Sequence, residues 1–413
     1  MAGGDLGAGL HRVGRLSARI GAPVVAQGLT AGTSLLLQVI AARSLGLAEF
    51  GAFALFLALL VSAAAVYTGY VGDSLAVLDR HDPRTRSALA TSALAAILLC
   101  GATAAGAALV VSGGDAALVI AYPAMLACWL CKESVRRLLI ARLQFGELVG
   151  NDCVYLLGTL ATLGVFRWLA GVGLLALFTA MAVGAIGAVA TGLARLPRRE
   201  RSGLRPATGG LRRVASFAAW RSAQAGLRPA ALLAARVLVA NLLSLAAVGM
   251  LEAARLVVAP LQVVINGAGS YLLPRFASAE SEGMARTGRL TTRFVWILSV
   301  GTLGAGGVLV ALSGPVGALL TGTAVDPLLV LGWVVYLTVW GAGLPYVTEV
   351  VARRHSRAVF TARLVDALIG LLLVAVLLAT GRGVTAVPWA MALGGVYAVW
   401  RVRRLAHDTR RTS

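Results

Sequence analysis

RVGRLSARIGAPVVAQGLTAGTSLLLQVIAAR, residues 12–43, opens on Arg12, Arg15 and Arg19, runs from 20 to 42 without a charge, and closes on Arg43. About 20 apolar residues in a helix cross the ~30 Å hydrocarbon core of a bilayer. The stretch therefore reads as a transmembrane helix with a basic flank on one side. Its apolar run is too long for a signal-peptide core, so it is read as an uncleaved first helix. The pattern returns at 50–72, 88–112, 116–133, 147–168, 171–194, 217–240, 249–272, 293–313, 327–350, 358–379 and 383–401. These twelve runs predict an all-α integral membrane protein.

The distribution of charge orients the helices. With a cytoplasmic N-terminus, the opposite face carries only Arg43, Arg167 and Arg382, and most of the 37 Lys+Arg fall on cytoplasmic segments. This positive-inside bias places both termini in the cytoplasm. It also explains the net charge of +20. In a soluble protein that charge would suggest nucleic acid; here it suggests anionic lipid headgroups as partners and no nucleic acid. The chain is 59% hydrophobic and 13% charged, with a mean hydropathy of +0.84. Its 49 glycines suit helices that pack closely in lipid.

What is missing argues against several activities. The non-cytoplasmic connections are short: Gly113-Gly114-Asp115, little more than Ala170, and at most 314–326. An enzyme acting on lipid-linked sugars outside the membrane usually needs a larger loop with acidic or histidine residues, so the short connections disfavour one here. His11, His81, His355 and His407 all lie in cytoplasmic flanks, so no intramembrane histidine metal site is expected. Lys132, the single lysine against 36 arginines, follows Cys131 rather than the glycines of a phosphate-binding loop. No cofactor is expected, and the energy for transport would come from a proton or sodium gradient or from substrate supply. Cys128-Trp-Leu-Cys131 sits in an apolar run and reads as buried small residues, not a redox pair.

The spans divide six and six. A basic connection with Pro197, Pro206 and Gly209-Gly210 lies between them. The expected parts are a cytoplasmic segment 1–19, a six-helix bundle 20–194, a linker 195–216, a second bundle 217–401 and a basic tail 402–413. An internal repeat supports duplication. IAARSLGLAEFG at 40–51 aligns with LVANLLSLAAVG at 238–249, matching Ala42/Ala240, Leu45/Leu243, Leu47/Leu245, Ala48/Ala246 and Gly51/Gly249. Two parallel six-helix halves suggest a transporter with its substrate path between them.

Charges inside the spans are the candidate site. Each costs roughly 2.5–3.5 kcal/mol on insertion scales and so faces a cavity or a partner. Arg221, Arg228 and Arg236 recur at spacings that confine them to about 80° of helix and about 22 Å of its length, and Gln224 extends the face. Guanidinium groups bind phosphate bidentately and stay charged when desolvated. Such a stripe suits a pyrophosphate headgroup, with Arg236 the hardest to explain by snorkelling and Arg221 the easiest. Glu252 and Arg255 share a face of span 8 as an ion pair or a gate; Gln262 and Asn266 line the path or bond to neighbouring helices. In span 11, Arg363 lies near the cytoplasmic end and Asp366 about two turns in, a candidate for ion coupling. Glu349 and Arg353 read as a helix-end salt bridge. Pro229 beside Arg228 permits a bend that would re-aim the stripe.

At Ala42–Gly51, ARSLGLAEFG followed by AFALFLALL, the chain resembles the polysaccharide and O-antigen lipid flippases of the multidrug/oligosaccharidyl-lipid/polysaccharide (MOP) exporter superfamily. That family commonly shows A-R-x-L-G-x-x-x-[FY]-G between helices 1 and 2. Gln27 and the Val71-Gly72-Asp73 end of span 2 also resemble it, which implies a substrate contact at Gln27 and a gate at Asp73. Read without the resemblance, Asp73 is a helix cap or the partner of a cytoplasmic arginine. The resemblance implies a V-shaped, two-bundle exporter of polyprenyl-pyrophosphate-linked glycans in a bacterial inner membrane, working by alternating access beside glycan-assembly proteins. Drug exporters of the superfamily often carry an acid in helix 1, and 20–42 has none. The lipid II branch usually has fourteen helices against twelve here. Asp79-Arg80 matches the basic loop of the major facilitators poorly, because Leu75 stands where they place glycine. A drug or cation antiporter of the same superfamily is the alternative function; an integral-membrane glycan polymerase or ligase is the third.

Overall fold

A computed structural model of the chain describes residues 5–78, 82–197, 210–280, 284–353 and 355–412. Every regular element among them is a helix. We number them α1 (Asp5–Ser44), α2 (Leu47–Tyr67), α3 (Asp73–Val77), α4 (Pro83–Val111), α5 (Ala116–Ala141), α6 (Phe145–Leu169) and α7 (Leu174–Arg195). There follow α8 (Leu211–Leu242), α9 (Leu245–Glu280), α10 (Met284–Ala311), α11 (Ser313–Thr321), α12 (Pro327–Ala352), α13 (Ser356–Ala379) and α14 (Ala386–Thr412). Eleven stretches are long and apolar enough to cross a membrane, among the described residues. The chain is a multi-pass helical membrane protein.

The helix ends follow local chemistry. Asp82 accepts from the backbone N–H groups of Arg84 and Thr85, with Pro83 in the first turn of α4. Asp115 caps α5 through Ala117 N–H, and Asp326 caps α12 through Leu328 N–H ahead of Pro327. An aspartate followed at once by proline satisfies orphan donors and presets the helical φ. Gly113 and Gly114 turn between α4 and α5 at φ 64° and 95°.

Many of the helix bounds differ from the expected spans, and four differences bear on the topology. Span 4, drawn as 116–133, continues to Ala141 as α5. The last apolar run continues as α14 to Thr412. It is not among the eleven stretches, because Arg401, Arg403 and Arg404 follow only a short apolar run. The expected outer loop 314–326 contains α11, whose Pro315 lies in the first turn and whose end is closed by Gly322 at φ 79°. Span 2 passes from α2 through a π-helical turn, Thr68–Gly72, into α3. Most of the 195–216 linker, together with Asp79, Arg80 and His81, lies outside the described residues.

By packing, the chain forms two compact units, Met1–Leu37 with Leu60–Gly226, and Gln38–Leu59 with Leu227–Ser413. In the first, α7 packs on α5 and α6. Gly158 approaches the Gly184 backbone, and a Cβ at Gly184 would lie 2.7 Å from the Tyr155 carbonyl oxygen. Hydrocarbon lipid gives helices little reason to associate by apolar burial, so close backbone packing between small residues does this work. In the second unit, α12 packs against α9, α10 and α14, and α14 against α13.

The second unit also holds the repeat. A side chain on Gly51 would strike the carbonyl of Leu245, and one on Gly249 would strike the carbonyl of Leu47. Leu47 aligns with Leu245 and Gly51 with Gly249 in the internal repeat, so the two copies of the motif meet each other reciprocally.

Candidate functional site

In the second unit, Glu252 of α9 is the centre of a buried charge network. Its Oε1 accepts from Arg236 Nε at 2.6 Å and Arg236 Nη2 at 2.5 Å. Its Oε2 accepts from Arg255 Nε at 2.6 Å. Arg255 Nη2 donates onward to Gln38 Oε1 at 2.6 Å, and Arg236 Nη1 to the Leu232 carbonyl at 2.8 Å. Arg236 is 6% exposed and Glu252 3%. All three guanidinium nitrogens of Arg236 are therefore engaged, and its charge is matched where an unmatched one would be costly.

Arg228 is arranged differently. Its guanidinium carbon lies 3.5 Å from the centroid of Trp340 and 6.0 Å from that of Tyr336. Its Nε and Nη2 are buried and have no hydrogen-bond partner. The rings are on one face of α12: Trp333, Tyr336 and Trp340 recur at i, i+3 and i+7. Trp333 meets Tyr336 edge-on at 5.5 Å and donates its indole N–H to the Leu251 carbonyl at 3.1 Å, tying the aromatic face to α9. On α13, Arg363 Nη1 lies 3.8 Å from Asp366 Oδ2. Arg228, Arg236, Arg255 and Arg363 against Glu252 and Asp366 leave an excess of positive charge among these six groups.

Two charged features of the first unit involve residues deeper than its helix-end pairs or expected from the sequence. Arg221 of α8 bonds Asp73 Oδ2 through Nε at 2.9 Å and Nη2 at 2.7 Å, and Nη1 reaches Gln224 Oε1 at 3.5 Å. The π turn before Asp73 brings Gly69 against the α8 backbone, where a Cβ would lie 2.8 Å from the Arg221 carbonyl oxygen. Deeper, Lys132 Nζ lies between Trp129 and Tyr155, 4.2 and 4.3 Å from their centroids. Arg136 Nε is 3.4 Å from Asp152 Oδ2, and Arg136 Nη2 donates to Thr30 Oγ1 at 3.1 Å. Glu133 accepts from Arg137 Nε at 2.7 Å.

The expected residues therefore divide. Arg228, Arg236, Glu252, Arg255, Arg363 and Asp366 belong to the second unit and Asp73, Arg221 and Gln224 to the first. Glu349 is 1% exposed and accepts from both Arg353, at 3.3 Å, and Thr291 Oγ1, at 2.7 Å. Gln27 and Asn266 are exposed and Gln262 half-buried. All four cysteines are free and half-buried. Sequence reasoning missed the cluster around Lys132 and Asp152 and the aromatic face of α12. Both left a signal, Lys132-Glu133 and Arg136-Arg137 on one helix and the spacing of Trp333, Tyr336 and Trp340.

Solved structures share this architecture. An inward-facing multidrug resistance MATE family transporter of the MOP superfamily is similar over 94% of this chain and 96% of its own, with a TM-score of 0.76 at 14% identity. The lipid II flippase MurJ in an inward closed conformation is similar over 93% and 87%, with a TM-score of 0.71 at 10% identity. An outward-facing MATE transporter covers 95% and 96% with a TM-score of 0.59 at 14% identity. In sequence, no protein-family model and no curated protein matches the chain. The chain has the fold that MATE transporters and MurJ share.

Proposed function

We propose that the chain is a flippase that moves a polyprenyl-diphosphate-linked oligosaccharide or polysaccharide repeat unit across a bacterial inner membrane. Both termini are cytoplasmic in this reading, and the basic flanks rest on anionic lipids. One observation carries it: Arg228 has its face against Trp340 and two buried donors, Nε–H and Nη2–H, with nothing to bond. A guanidinium offers such donors as a fork that fits a phosphate, and hydrogen bonds to charged groups are worth about 1.5–3 kcal/mol each. Every guanidinium nitrogen of Arg236 is already engaged, so we assign the diphosphate contact to Arg228 and give Arg236 a holding role through Glu252.

The second reading, a drug or cation antiporter, draws on the likeness to MATE transporters. The excess of arginine over carboxylate in the second unit favours an anionic headgroup over a lipophilic cation. The reading is tested by restoring glycan display in a strain lacking the chain, at matched membrane levels. Arg228→Ala should lose at least about tenfold in activity, the equivalent of one charged hydrogen bond, and Arg228→Lys should recover only part because it lacks the fork. Full display with Arg228→Ala sinks the assignment.

A further inference from the structure

Of the 37 basic residues, one is lysine. That lysine is Lys132, 2% exposed and enclosed by Trp129 and Tyr155. Everywhere else, on the flanks and inside the membrane, the chain uses arginine. The two differ in one chemical respect that matters here. A guanidinium in a protein keeps its proton, whereas an ammonium taken out of water can release one.

The surroundings of Lys132 are built for a change of charge. Its own helix supplies Glu133, Arg136 and Arg137, and α6 supplies Asp152. Glu133 is engaged by Arg137. Asp152 Oδ2 receives Arg136 Nε at 3.4 Å and Thr30 Oγ1 at 3.3 Å, while its Oδ1 is buried without a partner. Asp152 is itself 3% exposed. Three cations and two carboxylates leave one positive charge in excess, in a setting where charge is expensive. Loss of one proton from Lys132 removes the excess. The aromatic box accommodates both states, its ring faces attracting the ammonium and its apolar surface tolerating the amine.

The neighbouring helices bring little that competes. Tyr155 of α6 and the free thiols Cys128 and Cys131 of α5 and Cys153 of α6 are the nearby neutral titratable groups. Tyr67 of α2 is bonded to Ser134 Oγ at 2.5 Å. The one charge of α7, Arg195, pairs with Glu147 at 2.9 Å, and the charges of α4, Arg84 and Arg86, lie in its first turn.

We propose that Lys132 is a proton-exchange site of the transport cycle. An N–H bond of its ammonium breaks, the electron pair stays on Nζ, and the proton passes to water outside the cluster; uptake reverses the step. The inference rests on the transporter reading but not on the identity of the glycan.

Because Lys132 is the only lysine, protein labelled at lysine Cε and free of lysine in its tag gives a single side-chain NMR signal. In the full-length protein in nanodiscs, that signal should pass between its ammonium and amine positions over the pH range in which the protein stays folded. A signal that keeps its ammonium position throughout overturns the proposal without any variant or substrate. A second measurement separates exchange from mere charge. Proteoliposomes on a solid-supported membrane should give a transient current after a pH step. Lys132→Arg, which keeps the charge but not the exchange, should abolish the current at unchanged protein level; an undiminished current in Lys132→Arg overturns the proposal. The lysine signal is read without glycan and without any change at Arg228, so failure of the glycan reading and failure of this one are read separately.

Discussion

At the scale of single residues, Glu252 sets the state of its neighbours. It is shared by Arg236 and Arg255, and Arg236 has no other counter-charge among its bonded partners. Removing one member of a buried pair costs about 3–5 kcal/mol, because the other charge stays behind. Glu252→Gln should therefore lower the thermal midpoint of the purified protein sharply, and Arg236→Met combined with Glu252→Met should be milder than Glu252→Gln alone. If Glu252→Gln melts like the wild type, the network is not structural. Spacing alone brought out Arg228, Arg236 and Glu252 as intramembrane charges. It did not show that Arg236 is consumed by Glu252 while Arg228 keeps free donors, since that depends on which side chain reaches across from α9 and α12. Lys132 was hidden for another reason. The run Lys132-Glu133-Ser134 looks like the polar end of a helix, and only the two further turns of α5 turn it into an interior.

At the scale of elements, the contact between α2 and α9 is decided by two glycines. At Gly51 and Gly249 an added methyl meets backbone carbonyls, which cannot rotate away as a side chain would. Overpacking of this kind costs about 1–3 kcal/mol. Gly51→Ala should reduce the yield of monodisperse protein on size exclusion, and Gly249→Ala likewise. Gly46→Ala, in the same motif but with nothing within 4 Å, should behave as the wild type. Equal yields from all three would remove the argument. The helices themselves were legible because each apolar run is long and Asp82, Asp115 and Asp326 mark starts. The π turn at Thr68–Gly72 was not, because one extra residue in a helical turn leaves hydropathy unchanged. Nor was α11, whose length is too short for a span and whose residues read as loop.

At the scale of the whole molecule, charge bias makes a topology that can be checked directly. Reporter fusions at Gly114 and Thr323 should register outside and a fusion at Leu143 inside, since arginines crowd only the latter side. A cytoplasmic signal at Gly114 would invert the map. The reciprocal glycine contact bears on how such a molecule arises. A patch in which the first copy of a motif touches the second just as the second touches the first is the geometry of a two-fold dimer interface. If the repeat records a duplication, a six-helix ancestor carrying this motif would have fitted a copy of itself there. One mutation in such an ancestor would damage the contact twice; in one chain, Gly51 and Gly249 are two separate targets, each obliged to be glycine by the other's helix.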